Sequence, residues 1–172
     1  MICLNLPIHL RYRPENIYLV AIIPGPKEPD TTQLNHFLRP LVDEMLVLWR
    51  RGLVFEIDSV PLLVRAAIIP LVCDLPALRK AAGFAGHQAN HFCSFCELLK
   101  VNINDLDRSH WSRRTWEEHL HIATQWRDAP TEAARDKIFK KHGLRWSELL
   151  RLDYWDPTQF AVVDAMHNLF LG

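Results

Sequence analysis

No sign of charge predominates in this sequence. Twenty Lys and Arg balance twenty Asp and Glu, and the formal net charge is zero. An autonomous DNA-binding domain is often basic, so the global charge argues against one and leaves room only for a local basic patch. Cysteine is also scarce. Cys3, Cys73, Cys93 and Cys96 are too few for a secreted disulfide scaffold, which points to a reducing compartment. Long apolar runs are missing. The run Ala66–Cys73 contains Pro70 and falls far short of a membrane span, and the N-terminus has no basic segment followed by an apolar one. The chain therefore reads as soluble, with no membrane partner and no signal peptide. Internal repeats and low-complexity tracts are absent too. What remains is ordinary globular text, with length enough for one domain and its core.

Both ends run through apolar pattern without a stop, so the sequence alone suggests a piece of a longer protein. Ile2–Leu6 and Ile17–Ile23 read as adjacent strands, and Pro24-Gly25-Pro26 breaks the chain. Asp30 and Thr32 offer caps for a helix over about 32–51, whose apolar residues from Leu34 to Trp49 recur at helical spacing. Gly52 stops it. Val54–Asp58 suits a short strand. Leu62–Val72 suits an element buried on both faces and ending near Asp74. Ala77–Ala82 predicts a helix that stops at Gly83. A loop rich in Gly, His and Cys follows, then mainly helical text from Asp105 to Leu152, and Phe160–Val163 leads into a last helical stretch. Strands first and helices later imply an α/β or α+β fold.

Four features can carry chemistry. Cys93-Ser94-Phe95-Cys96 can chelate a metal, because a tight turn brings both sulfurs to one side. His87 and His91 lie just upstream, and His110 or His167 could reach the site from elsewhere. A redox pair and two buried free thiols are the competing readings. Asp74 follows a buried strand candidate, where α/β folds place functional groups. It is also well placed to cap the next helix, which is the stronger reading of the pattern alone. Asp164 and His167 form an i, i+3 pair that meets on one helix face. In isolation such a pair is most simply a local ion pair. The Arg and Trp residues between Arg108 and Arg127, with Arg113 and Arg114 adjacent, could contact DNA, although Trp at helical spacing favours core.

Several of these segments resemble one family in the same order. Asn5-Leu6-Pro7, Leu10 to Asn16, Ile22 to Pro29, Leu48 to Gly52, Arg65 to Ala67, Cys73 to Pro76, Cys93 to Cys96 and Asp164 to Gly172 are similar to the Tnp2-type transposases of CACTA-like elements, the CMC superfamily, in their fungal form. The resemblance implies a DDE enzyme: a partial RNase H-like core, mixed sheet with flanking helices, interrupted by a mainly helical insertion with a CxxC motif. It assigns 1–82 to the core, 83–155 to the insertion and 156–172 to the DxxH segment. It makes Asp74 a catalytic acid, reversing the reading above, and assigns Asp164 and His167 to the DxxH signature. It implies Mg2+ or Mn2+ in the core, Zn2+ at the CxxC, transposon-end DNA as partner, a possible homo-oligomer and a nuclear location. The family's first Asp and its Glu are expected outside this sequence, and the chain alone is then expected to be inactive. The alternative is a decayed or domesticated zinc-containing module that binds DNA or protein.

Overall fold

The computed structural model describes residues 1–170. Leu171 and Gly172, the end of the DxxH segment, lie outside the described residues.

The dominant element is a long helix, and its start is specified locally. After the short α1 (Ile8–Arg11), α2 runs over Thr31–Arg50. Asp30 Oδ1 accepts from the Gln33 amide at 2.8 Å, and the Asp30 amide donates back to Gln33 Oε1 at 3.0 Å. This reciprocal box satisfies two amides that the first turn would otherwise leave free. Pro40 lies inside the helix without ending it. Val42 and Met45 are buried on its inner face, and Leu38, Leu41, Leu46 and Leu48 flank them. Gly52 takes a positive φ of 75° and turns the chain away.

Strands β1 (Leu53–Ile57) and β2 (Val60–Val64) form an antiparallel hairpin with Phe55 opposite Leu62. Asp58 and Ser59 both adopt positive φ, the geometry of a tight two-residue hairpin turn. Every residue of both strands is exposed. Strand β3 (Leu71–Cys73) belongs elsewhere: it pairs in parallel with β4 (Ala161–Val163). Between them lie α3 (Leu75–Ala82), α4 (Trp116–Asp128), α5 (Glu132–His142) and the short α6 (Pro157–Phe160). Thr115 Oγ1 caps α4 by accepting from the Glu118 amide, and Thr131 Oγ1 caps α5 through Ala134. Gly83 ends α3 at φ 83°, where a Cβ would stand 2.3 Å from the Arg145 carbonyl oxygen. Only glycine suits that approach.

One core joins these parts. Val42 and Met45 of α2, Leu78 and Ala82 of α3, Ile122 of α4, Leu149, Leu152, Trp155 and Ala161 belong to one buried cluster. Trp155 is fully buried and donates its indole N–H to the Ile69 carbonyl at 3.0 Å. A polar clamp reinforces the junction. Asn35 donates to the Trp146 carbonyl at 3.0 Å and accepts from the Glu148 amide at 2.9 Å. The nearly buried Glu148 carboxylate takes Arg151 Nη1 at 3.0 Å, the Trp146 indole N–H at 3.3 Å and Arg39 Nε at 3.4 Å. Among the described residues no helix is long and apolar enough to cross a membrane.

The fold is mixed α/β, with differences from expectation that have local causes. Ile2–Leu6 and Ile17–Ile23 form no ladder; only the bridge between Ile2 and Ile17 survives, and α1 stands between them. Leu62–Val72 is not one buried element. Its first part is the exposed strand β2 and its last part enters β3, with Pro70 removing a donor just before β3. The β structure is two separate two-stranded sheets. The mainly helical text between Asp105 and Leu152 holds α4 and α5, joined by a short loop, with single 3-10 turns at Arg108–His110 and Glu148–Arg151.

Candidate active site

Parallel pairing of β3 with β4 sends both C-terminal ends the same way. Asp74 follows Cys73 at the end of β3, and Asp164 follows Val163 at the end of β4. The Asp164 amide donates to the Cys73 carbonyl at 2.8 Å, tying the two strand ends together. Burial pushes the Cys73 thiol above its ordinary value, and the charges of Asp74 and Asp164 push it further the same way. Two carboxylates thus stand close to one thiol at one sheet end.

Each acid is partly engaged. Asp74 Oδ1 accepts from the Ala77 amide at 2.8 Å and so caps α3, as its pattern suggested. Its Oδ2 accepts no hydrogen bond among the described residues. Asp164 Oδ1 accepts from the Met166 amide at 3.1 Å, and Oδ2 pairs with His167 Nδ1. The His167 contact, then the Met166 amide, hold the Asp164 carboxyl below the usual range. The i, i+3 pair does meet: Asp164 stands just ahead of the π-helical segment Met166–Phe170, which carries His167. Carboxylate oxygens of this kind suit hard divalent cations. Among the described residues no three His, Cys, Asp or Glu side chains are placed to share one metal.

The cysteine turn lies in the loop between α3 and α4. Phe95 donates its amide to Cys93 Sγ at 3.4 Å. Cys96 bridges Arg113, the Glu97 amide donates to the Ser112 carbonyl at 2.8 Å, and the Arg114 amide donates to the Phe95 carbonyl at 3.2 Å. Both thiols are free. Burial raises the Cys96 thiol and the adjacent Cys93 adds to this, while the Leu98 amide and Arg114 oppose it. Arg113 is exposed. Arg114, grouped with it as a DNA contact, is buried instead: it donates Nε to the Cys93 carbonyl at 3.1 Å and pairs Nη1 with Glu97 at 2.9 Å. His87 is exposed, and His91 is half-buried with Nδ1 unpartnered.

Sequence reasoning missed His119. It is buried on α4, both ring nitrogens lack partners, and its ring meets Phe84 edge-on at 4.9 Å. Burial, helped by Arg114, pushes its pKa down to about 4, so the imidazole is neutral. The available signal was its register. His119 shares a face with Ile122 and Ala123, three and four residues on, and both are buried.

The model of the transposase family tnp2 matches residues 1–142, which include Asp74, the cysteine turn and His119. The chain belongs to the transposase family tnp2. Asp164 and His167 lie beyond the matched stretch. None of the curated proteins matches the chain.

Proposed function

We propose that this chain contributes part of the RNase H-like DDE catalytic core of a CACTA-like, fungal-type cut-and-paste transposase that acts on transposon-end DNA in the nucleus, and that it is inactive alone because the first Asp and the Glu of the triad are not in it. The observation that carries the reading is the placement of Asp74 and Asp164 at the C-terminal ends of adjacent parallel strands. Asp74 holds its position through the cap it makes to α3, which leaves Oδ2 open toward a cation. Asp164 is oriented by the Met166 amide and kept ionised by His167. Asp74 and Asp164 would be two of the carboxylates that hold Mg2+ or Mn2+, which would supply activation of the attacking oxygen and stabilisation of the leaving one. In the same reading Cys93 and Cys96 hold Zn2+ and stiffen the insertion, Arg113 faces the DNA, and the chain works as a homo-oligomer.

Asp74→Asn tests this. Asparagine caps a helix about as well as aspartate, so the fold survives while the charge is removed. The measurements are Mn2+ binding by electron paramagnetic resonance and thermal unfolding. We expect Asp74→Asn to lose Mn2+ affinity at unchanged thermal stability. Equal Mn2+ binding by the variant and the native chain overturns the assignment. It would instead favour the alternative, a decayed or domesticated zinc-containing module that binds DNA or protein.

A further inference from the structure

We propose that the cavity between the N-terminus of α2 and helix α5 takes a backbone phosphate of DNA, and that the lysine face of α5 beside it carries the neighbouring phosphates. The choice of DNA rests on the transposase reading. The anion site rests on the residues themselves.

The cavity measures about 410 Å3 and is walled by Thr31 and Thr32 at the start of α2, Trp126 of α4, Arg135 and Phe139 of α5, and Arg145. Aromatic rings hold both guanidinium groups. Arg145 lies 4.2 Å from the centre of the Phe139 ring, and Arg135 lies 5.2 Å from that of Trp126. Arg135 Nη2 donates to the Arg127 carbonyl at 3.0 Å, but its Nε and that of Arg145 are buried without partners. Thr31 is only 5% exposed, and its hydroxyl makes no hydrogen bond among the described residues. Asp30 caps the Gln33 amide, which leaves the Thr31 and Thr32 amides free at the positive end of a 20-residue helix. Buried donors are normally satisfied. Here guanidinium, hydroxyl and amide donors line one cavity and share one need, an anion with several acceptor oxygens.

Three carboxylates share the cavity. Asp30, Glu132 and Asp136 are all exposed, and among the described residues none pairs with either guanidinium. Exposed carboxylates are hydrated and screened by salt, whereas the two buried Nε donors are shut off from water. Burial holds the Arg145 guanidinium below its ordinary value despite the charge of Asp30, so the acid does not compensate it.

The lysines choose between a small anion and a polyanion. Lys137, Lys140 and Lys141 are exposed at i, i+3 and i+4 and so share a face of α5. They line an open concavity of about 650 Å3 that meets the first cavity at Asp136. None of the three forms an ion pair among the described residues. A chain of zero formal net charge thus keeps a row of uncompensated cations beside one phosphate-sized cavity. A lone anion would use the cavity and ignore the row. A nucleic-acid backbone uses both.

The test uses the full chain in EDTA, a short DNA duplex of arbitrary sequence followed by fluorescence anisotropy at several salt concentrations, and inorganic phosphate followed by calorimetry. The native chain should bind the duplex with an affinity that falls with salt, and phosphate should compete. Arg145→Gln should weaken both and lower the slope of log affinity against log salt by about 0.9, the share of one phosphate contact. Changing Lys137, Lys140 and Lys141 together to Gln should lower the slope by nearly three times as much. Thr31→Val removes a hydroxyl but no charge, so affinity should drop at unchanged slope. These two variants remain informative if Arg145→Gln fails to fold. Arg51→Gln removes an exposed charge at the opposite end of α2 and should change nothing. Equal losses in Arg51→Gln and Arg145→Gln would show that net charge alone carries binding, and they overturn the site. So does a native chain that binds no duplex. Phosphate binding lost in Arg145→Gln at native duplex affinity overturns DNA as the occupant and leaves a site for free phosphate. Asp74→Asn should keep its duplex affinity in EDTA, so the metal-site reading and this surface stand or fall separately.

Discussion

Glu148 offers the sharpest quantitative test of how the long helix is attached to the rest of the protein. Its carboxylate is nearly buried and collects Arg151, Arg39 and the Trp146 indole. Truncation to alanine strands these donors unequally. Arg151 keeps Asp43 at 2.6 Å, and Arg39 is half exposed and returns to water. The Trp146 N–H is buried and stays unpaired, which costs about 1–3 kcal/mol. Breaking a fully buried ion pair costs about 3–5 kcal/mol, and two of the three donors here escape that fate, so Glu148→Ala should lose about 2–3 kcal/mol. For a chain of this size the shift in Tm is then about 4–12 °C. Urea unfolding followed by tryptophan fluorescence reads it directly, since Trp146 belongs to the network. The pH dependence adds a second arm. Burial alone would raise the Glu148 carboxyl, but Arg151, Trp146 and Arg39 outweigh it and hold it below its ordinary value. A depressed carboxyl contributes stability above its unfolded pKa of about 4.3 and loses it as pH falls through the lower folded value. The gap between native and variant should therefore be constant at neutral pH and close in acid. A gap below about 0.5 kcal/mol at pH 7 would place Glu148 with ordinary surface ion pairs and refute the clamp.

Two further substitutions probe the fold. Gly83→Ala combines a positive φ with a Cβ 2.3 Å from the Arg145 carbonyl oxygen; the left-handed conformation alone costs about 1–2 kcal/mol. Its midpoint in urea should fall clearly below that of Gly25→Ala, where a Cβ meets nothing within 4 Å, and equal midpoints would contradict the packing at Gly83. Trp155→Ala removes a fully buried indole and orphans the Ile69 carbonyl. It should cost about 3–5 kcal/mol, a large share of a typical total of 5–15 kcal/mol, and near-native stability by calorimetry would show that the core does not depend on this ring.

Local signals proved readable and partnerships did not. The start of α2 was legible in Asp30, although not its return partner Gln33, and its stop in Gly52, because capping chemistry acts within a turn. The helix stop at Gly83 and the cap at Asp74 are equally local. Strand pairing depends on remote chain. Nothing in Leu71–Cys73 names Ala161–Val163 as its neighbour, and nothing in the apolar text of Ile17–Ile23 says that it lacks a ladder. Asp74 and Asp164 were both singled out as isolated residues, and only the parallel pairing brings them to one sheet end. His119 was hidden for a related reason. A histidine on a helix looks like any other until its surroundings show that neither nitrogen has a partner.

The pairing of β3 with β4 also governs the order in which the molecule can form. It closes a loop of roughly 90 residues, which costs about 2 kcal/mol more entropy than a loop of ten. Helices α4 and α5 have only local bonds to make and close in microseconds, whereas remote strand pairing is slow. During synthesis β3 must wait for β4 to leave the ribosome, by which time α4 and α5 have been made. Asp74 and Asp164 can therefore come together only once the whole segment between them has been made.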